Sequence, residues 1–355
     1  MSALPSYFSD FLANIRLQAD DIADLKRGHT TLRQQLLADP DLGGKIVGTF
    51  LQGSYRRATA VKPENGKRSD VDVVVVTTID KGEYTPEQTL AAFKPFMDRH
   101  YKGKYEVQGR SIGIELSYVD LDCVITAAPS VSEQGVLKSS VVMSEETIED
   151  ATDDWRVMFS TKATPQWKVD PLWIPDRDVQ CWTATHPLEQ IRWTQEKNQR
   201  CKTHYINVVK ALKWWRRLKY TTPKYPKGYP VEHLIGQCCP DNIDSVAAGV
   251  ALTLEAIVAN YRWQVAAGRV PVLPDHGVPE HDVFKRITAA DFALFYEQVS
   301  EAAVIARQAY DETDLATSVG LWKKLFGDDF PDAPDDKGEF SDRQQLTIIS
   351  RERFS

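Results

Sequence analysis

The chain has 355 residues, of which 42% are hydrophobic, 10% aromatic and 26% charged, enough apolar side chain for one large core or two moderate ones. That balance excludes disordered, collagen-like and coiled-coil classes, and no apolar run reaches the roughly 18 residues of a membrane span. The net charge of -7 argues against a broad basic face for duplex nucleic acid; an N-terminus without a basic-then-apolar leader and five scattered cysteines predict a reduced, cytoplasmic protein.

Residues 1–40 read as helical, because Phe8, Leu12, Ile15, Ile22, Leu25, Leu32 and Leu36 recur at helical spacing. Short strands are predicted at Ile46–Leu51 and, from its β-branched run, at Val71–Val76. A helix over Pro86–Tyr101 follows, then strands at Tyr105–Gln108 and, as one long element, Ile112–Ile125. The stretch Pro129–Pro187 carries five prolines and no sustained period, which predicts loops and short strands wrapping the core. Beyond it Leu188–Tyr220, Ser245–Trp263, Ala289–Tyr310 and Asp314–Phe326 carry helical spacing, with Thr288 and Asp291 as a capping pair and Gly327 as a helix end. The expected class is α+β: a mixed-sheet core with its N-terminal helix over 1–187, a helical domain over 188–334 and a mobile tail over 335–355.

The chemistry concentrates where the strands begin. Asp70 and Asp72 open the Val71–Val76 run two residues apart, so both side chains lie on one face. Carboxylates so placed repel each other unless a cation lies between them, and hard oxygen ligands at that spacing suit Mg²⁺ or Mn²⁺. Upstream, a strand runs through Gln52 into Gly53-Ser54, where a glycine lets backbone approach a phosphate and a serine hydroxyl can donate to it. Downstream, Asp120 and Asp122 share a face of an apolar strand, and either can supply a third carboxylate. Gly-Ser, then Asp-x-Asp, then a third acid points to metal-assisted nucleotidyl transfer, whose burden is in-line positioning and charge neutralisation. Phosphate loops of the Gly-x-x-x-x-Gly-Lys and Gly-x-Gly-x-x-Gly kinds are absent after any strand, and Cys238-Cys239 lacks the spacing of a zinc site.

These residues resemble the signature of the DNA polymerase β-like nucleotidyltransferases. Within that superfamily the chain is similar to the bacterial cGAS/DncV-like nucleotidyltransferases (CD-NTases). The likeness rests on four stretches: Gln52-Gly-Ser-Tyr-Arg-Arg-Ala-Thr59, Trp182-Thr-Ala-Thr-His-Pro187 followed by Asn198, Val208–Arg216, and Leu321-Trp-Lys-Lys-Leu-Phe-Gly-Asp-Asp-Phe-Pro331. The resemblance implies a polymerase β-like core with a C-terminal helical domain, and Mg²⁺- or Mn²⁺-dependent synthesis of a cyclic di- or trinucleotide from ATP, GTP or other nucleoside triphosphates in anti-phage (CBASS) signalling. By it, Asp70, Asp72 and Asp122 bind metal and carry catalysis, Gly53 and Ser54 hold the triphosphate and Lys213 contacts phosphate; Gln52, beside the turn, and Lys202, in one basic stretch with Lys210, Lys213, Arg216 and Arg217, join the nucleotide-binding set. The resemblance also implies Tyr229 as a base stacker; Gly228 stands where relatives often have serine, and Ala58 where they have a second glycine. A CBASS effector or a ubiquitin-transfer-like partner at the C-terminal tail is also implied, although this tail ends Arg353-Phe354-Ser355. Two other functions compete: a template-independent RNA or tRNA nucleotidyltransferase, which the acidic balance disfavours, and a catalytically inactive nucleotide-binding protein, which the intact aspartates disfavour.

Overall fold

A computed structural model describes residues 3–64, 66–131, 134, 170–219 and 225–334. In the first half the helices Pro5–Ile15 (α1), Ala19–Ala38 (α2), Gly53–Arg56 (α3), Pro86–Ala92 (α4) and Lys94–His100 (α5) accompany five strands. These are Ile46–Gln52 (β1), Asp70–Thr77 (β2), Tyr105–Val107 (β3), Ile112–Glu115 (β4) and Asp120–Thr126 (β5), in one sheet ordered β1-β2-β5-β4-β3. β2 runs antiparallel to β1 and parallel to β5, while β4 is antiparallel to both β5 and β3. A hairpin of Leu172–Asp176 (β6) and Cys181–Thr185 (β7) leads into the second half. That half is helical: Pro187–Arg200 (α6), Tyr205–Lys219 (α7), Tyr229–Cys238 (α8), Val246–Ala266 (α9), Ala289–Asp311 (α10) and Leu315–Phe326 (α11).

The β-branched run takes a central place in the sheet because it is apolar on both sides. Val71, Val73 and Val75 pack with Leu25 and Leu32 of α2, Leu90 of α4 and Phe96 of α5, whereas Val74 and Val76 meet Leu172, Leu188 and Ile191. Asp70 and Asp72 share the latter face, so the alternation that buries the valines also turns both carboxylates toward the helical half. There, Thr288 Oγ1 accepts from Asp291 N–H at 3.1 Å and caps α10, and Gly327, at φ 71°, ends α11.

Several boundaries differ from the sequence reading. The 1–40 segment is two helices, and α1 belongs to the helical half: Phe8 meets Trp322 edge-on at 5.0 Å and Phe11 stacks on Phe326 at 4.5 Å between centroids. A domain division that keeps residues 1–187 together therefore splits this aromatic core. The helix expected over 86–101 divides at Phe93, because Pro95 cannot continue a preceding turn and instead starts α5. The long strand expected over 112–125 is the hairpin β4–β5, reversing at Leu116–Val119, where Leu116 N–H donates to the Val119 carbonyl at 3.0 Å. The 188–220 stretch breaks between α6 and α7 at Lys202 and Thr203, whose φ values are 49° and 71°. The tail 335–355 lies outside the described residues.

Candidate active site between the two lobes

The site begins at the end of β1. Gln52 is in register with Asp72 across the β1–β2 pair, and the next residue, Gly53, has φ 74°. A Cβ at Gly53 would lie 1.8 Å from Asp72 Oδ2, so backbone conformation and the neighbouring carboxylate both demand glycine. This close approach brings Ser54 beside the acidic end of β2.

Parallel pairing of β2 with β5 sets Asp120 next to Asp70 and Asp122 next to Asp72. Burial, and after it the charges of Asp122 and Asp70, push the Asp72 carboxyl from its ordinary 3.8 up to about 7. Burial also raises Asp122, with the nearby Ser111 hydroxyl opposing and Asp70 adding to the rise, and Asp122 Oδ1 is buried without a hydrogen-bond partner. Asp120 is in a different situation. Arg68 Nε donates to its Oδ1 at 2.7 Å and its side chain is 37% exposed, so its charge is already engaged at the surface.

Among the described residues no three His, Cys, Asp or Glu side chains converge into a finished metal cage. A hard divalent cation such as Mg²⁺ does not need one, since it takes one or two carboxylates and fills its shell with water and substrate phosphates. Asp72 and Asp122, both raised with the Asp70 charge contributing, and the orphan buried oxygen of Asp122 fit such an ion.

The second wall comes from the helical lobe. A cleft of about 770 Å³ is lined by Gln52, Gly53, Ser54, Asp70 and Asp72 on one side, and by Thr185, Gln190, Lys213, Arg217, Lys227, Tyr229 and Glu232 on the other. Lys213 Nζ donates to the Thr59 carbonyl at 2.9 Å and lies 3.6 Å from Glu232 Oε2; burial lowers its pKa. Burial likewise lowers Arg217, whose Nε is 3.9 Å from Glu64 Oε1. Asp70 and Asp72 at the strand end, with Lys213 and Arg217 across the cleft, make the charge pattern of a metal–triphosphate site.

The structure thus brings together Gln52, Gly53, Ser54, Asp70, Asp72, Lys213 and Tyr229, with Asp122 behind Asp72. It does not bring Lys202, which sits in the break between α6 and α7, pairs with Asp244 and is half exposed. The expectation that Lys202 binds nucleotide is corrected accordingly. Gly228 also finds its reason: it precedes α8 at φ 60°, ψ -132°, a conformation unfavourable to serine. The sequence reading missed Glu232 as a member of the site. Its signal, an acid on the apolar turn Val231–Leu234, points to burial beside a cation without saying which one.

Comparison with known proteins agrees with this geometry. The family model described as the Second Messenger Oligonucleotide or Dinucleotide Synthetase domain matches residues 1–152. A probable cyclic AMP-AMP-GMP nucleotide synthase of Salmonella paratyphi B is 44% identical over 92% of each chain, and a cyclic AMP-AMP-GMP synthase of Enterobacter hormaechei is 44% identical with the same coverage. The solved Bradyrhizobium diazoefficiens CD-NTase CdnG, in complex with GTP, shares the fold with a TM-score of 0.65 at 13% identity, over 91% of this chain and 94% of that one. With relatives this similar along nearly its whole length, the chain belongs to the bacterial CD-NTase family, nucleotidyltransferases that synthesise cyclic oligonucleotides.

Proposed function

We propose that the protein joins two AMP units and one GMP unit, drawn from ATP and GTP, into a cyclic trinucleotide that serves as a CBASS defence signal. The product assignment is supported by the names of the two relatives at 44% identity, and the chemistry by the convergence of the Gly53-Ser54 turn, the aspartate cluster and Lys213 on one cleft. Asp70, Asp72 and Asp122 would hold Mg²⁺ or Mn²⁺, which when bound neutralises phosphate charge and makes the attacking hydroxyl more acidic.

The chain's own residues do the rest. Ser54 and the backbone of the Gly53 turn donate to phosphate oxygens, and Lys213 with Arg217 balances the triphosphate from the opposite wall. The Tyr229 ring offers a stacking face to a base. In each round a ribose hydroxyl oxygen bonds to an α-phosphorus, the bond to the pyrophosphate oxygen breaks, and the hydroxyl proton passes to a carboxylate of the aspartate cluster at the cleft. Three such rounds, the last within one linear chain, release three pyrophosphates and close the ring.

The test is to incubate the purified protein with labelled ATP and GTP, singly and together, with Mg²⁺. A phosphatase-resistant product with the mass of a cyclic A-A-G trinucleotide, formed only when both are present, is expected. A ladder of linear products, or a cyclic product from ATP alone, would refute the assignment.

A further inference from the structure

Four residues after Gly53, a guanidinium enters a place where charge is costly. Arg57 keeps 6% of its side chain exposed, and Glu232, opposite, keeps 3%. Arg57 Nε donates to Glu232 Oε1 at 2.6 Å and its Nη2 to Oε2 at 3.5 Å. Thr59 Oγ1 donates to the same Oε2 at 2.8 Å, with Lys213 Nζ 3.6 Å away on the other side. The Arg57 guanidinium also stands 5.0 Å over the Tyr229 ring. Arg57 and Thr59 come from the sheet lobe, whereas Lys213, Tyr229 and Glu232 come from α7 and α8 of the helical lobe.

A buried ion pair is a poor means of merely joining two surfaces, because well-packed apolar side chains do it as well or better. The pair adds direction: a planar fork on a carboxylate fixes distance and angle together. Every partner of this pair is a wall of the cleft or the loop leading from its phosphate turn. Two cations around one carboxylate also leave that wall with one positive charge in excess, on the side where a triphosphate would lie.

We infer that Arg57 and Glu232 are positioning residues: their buried pair sets the Gly53-Ser54 turn, Lys213 and the Tyr229 ring in one register across the lobe boundary. One contact then places both the phosphate end and the base end of a nucleotide. The inference rests on the nucleotide-joining function proposed above and adds to it the device that aligns the substrate.

The test uses the full-length protein and the variants Arg57→Lys, Glu232→Gln and Thr59→Val, with melting temperature recorded beside kcat and KM for ATP and GTP. Arg57→Lys keeps the charge and loses the fork, so a positioning role predicts that kcat/KM falls by about 10-fold or more, chiefly through KM, in protein that remains folded at the assay temperature. Thr59→Val, which leaves both charges paired, should raise KM by about 3-fold and is the deciding variant if Glu232→Gln does not fold. Folded Arg57→Lys and Thr59→Val with wild-type KM, even at lowered melting temperature, would show a pair that only holds the lobes together and overturn the inference. If the wild type makes no nucleotide product, the function proposed above fails on its own. Titration of wild type and variants with a non-hydrolysable ATP analogue still judges the pair: unchanged affinity overturns it, weakened affinity supports it.

Discussion

Asp72→Asn should stabilise the metal-free protein, and by an amount that depends on pH. In the folded chain the Asp72 carboxyl is raised to about 7 from 3.8, chiefly by burial and then by Asp122 and Asp70. Between these two values the folded state holds a proton that the unfolded state has released, so stability falls as pH rises from about 4 to about 7 and the loss is complete above that. A rise of about 3 units corresponds at most to about 4 kcal/mol; the side chain keeps an edge on the wet cleft, so about 1–3 kcal/mol is the expected penalty. Asparagine has nearly the same shape and no charge to bury. In a chelating buffer the variant should melt about 1–4 °C above wild type at pH 8, with the gap closing toward pH 4.5. Mg²⁺ should then raise the wild-type melting temperature while moving the variant little, because binding to the folded state alone is stabilising. Equal melting curves at every pH in chelator, or a variant less stable at pH 8, would refute the claim that like charges crowd this strand end.

Other substitutions test neighbouring parts of the site. Gly53→Ala, whose Cβ would meet Asp72 Oδ2, should abolish product formation by about 100-fold or more, and near-normal turnover would show that the turn relaxes freely. Asp122→Asn should remove turnover and its Mg²⁺ dependence, whereas Asp120→Asn, which loses only the surface pair with Arg68, should keep activity within about 3-fold; the reverse outcome makes Asp120 the third carboxylate. Gly228→Ser should lower stability by about 1–2 kcal/mol through its positive φ, measured by denaturant unfolding, and a stabilised variant would show that the turn accepts a side chain.

The carboxylate strand was legible because two signals coincide in it: the unbroken valines Val73–Val76 mark a strand buried on both faces, and acids two apart mark one face of its end. The hairpin hidden in residues 112–125 was not, since its reversal at Leu116–Val119 contains neither glycine nor proline and its return strand is equally apolar. Lys202 and Lys213 looked alike as members of one basic stretch. They part company because the chain breaks at Lys202 and Thr203, leaving one lysine on the surface with Asp244 and sending the other, on α7, to the lobe boundary. The Arg57–Glu232 contact could not be read at all. It joins residues 175 apart in the chain, and nothing local to either one names the other.

The charges of the two walls explain why neither is complete alone. On the sheet side, burial and neighbouring aspartate charge raise Asp72 and Asp122, a strain that a bound cation or protons relieve. On the helical side, burial disfavours the charged forms of Lys213 and Arg217, and Glu232 is shared between Lys213 and Arg57. A nucleoside triphosphate entering with its own divalent cation supplies both missing signs at once, positive charge to the aspartates and negative charge to the lysine and arginines. Either partner alone corrects one wall and leaves the other strained. Tight binding of triphosphate should therefore require the cation, and the cation should bind more tightly with triphosphate present, since coupling between two ligands on one protein is reciprocal.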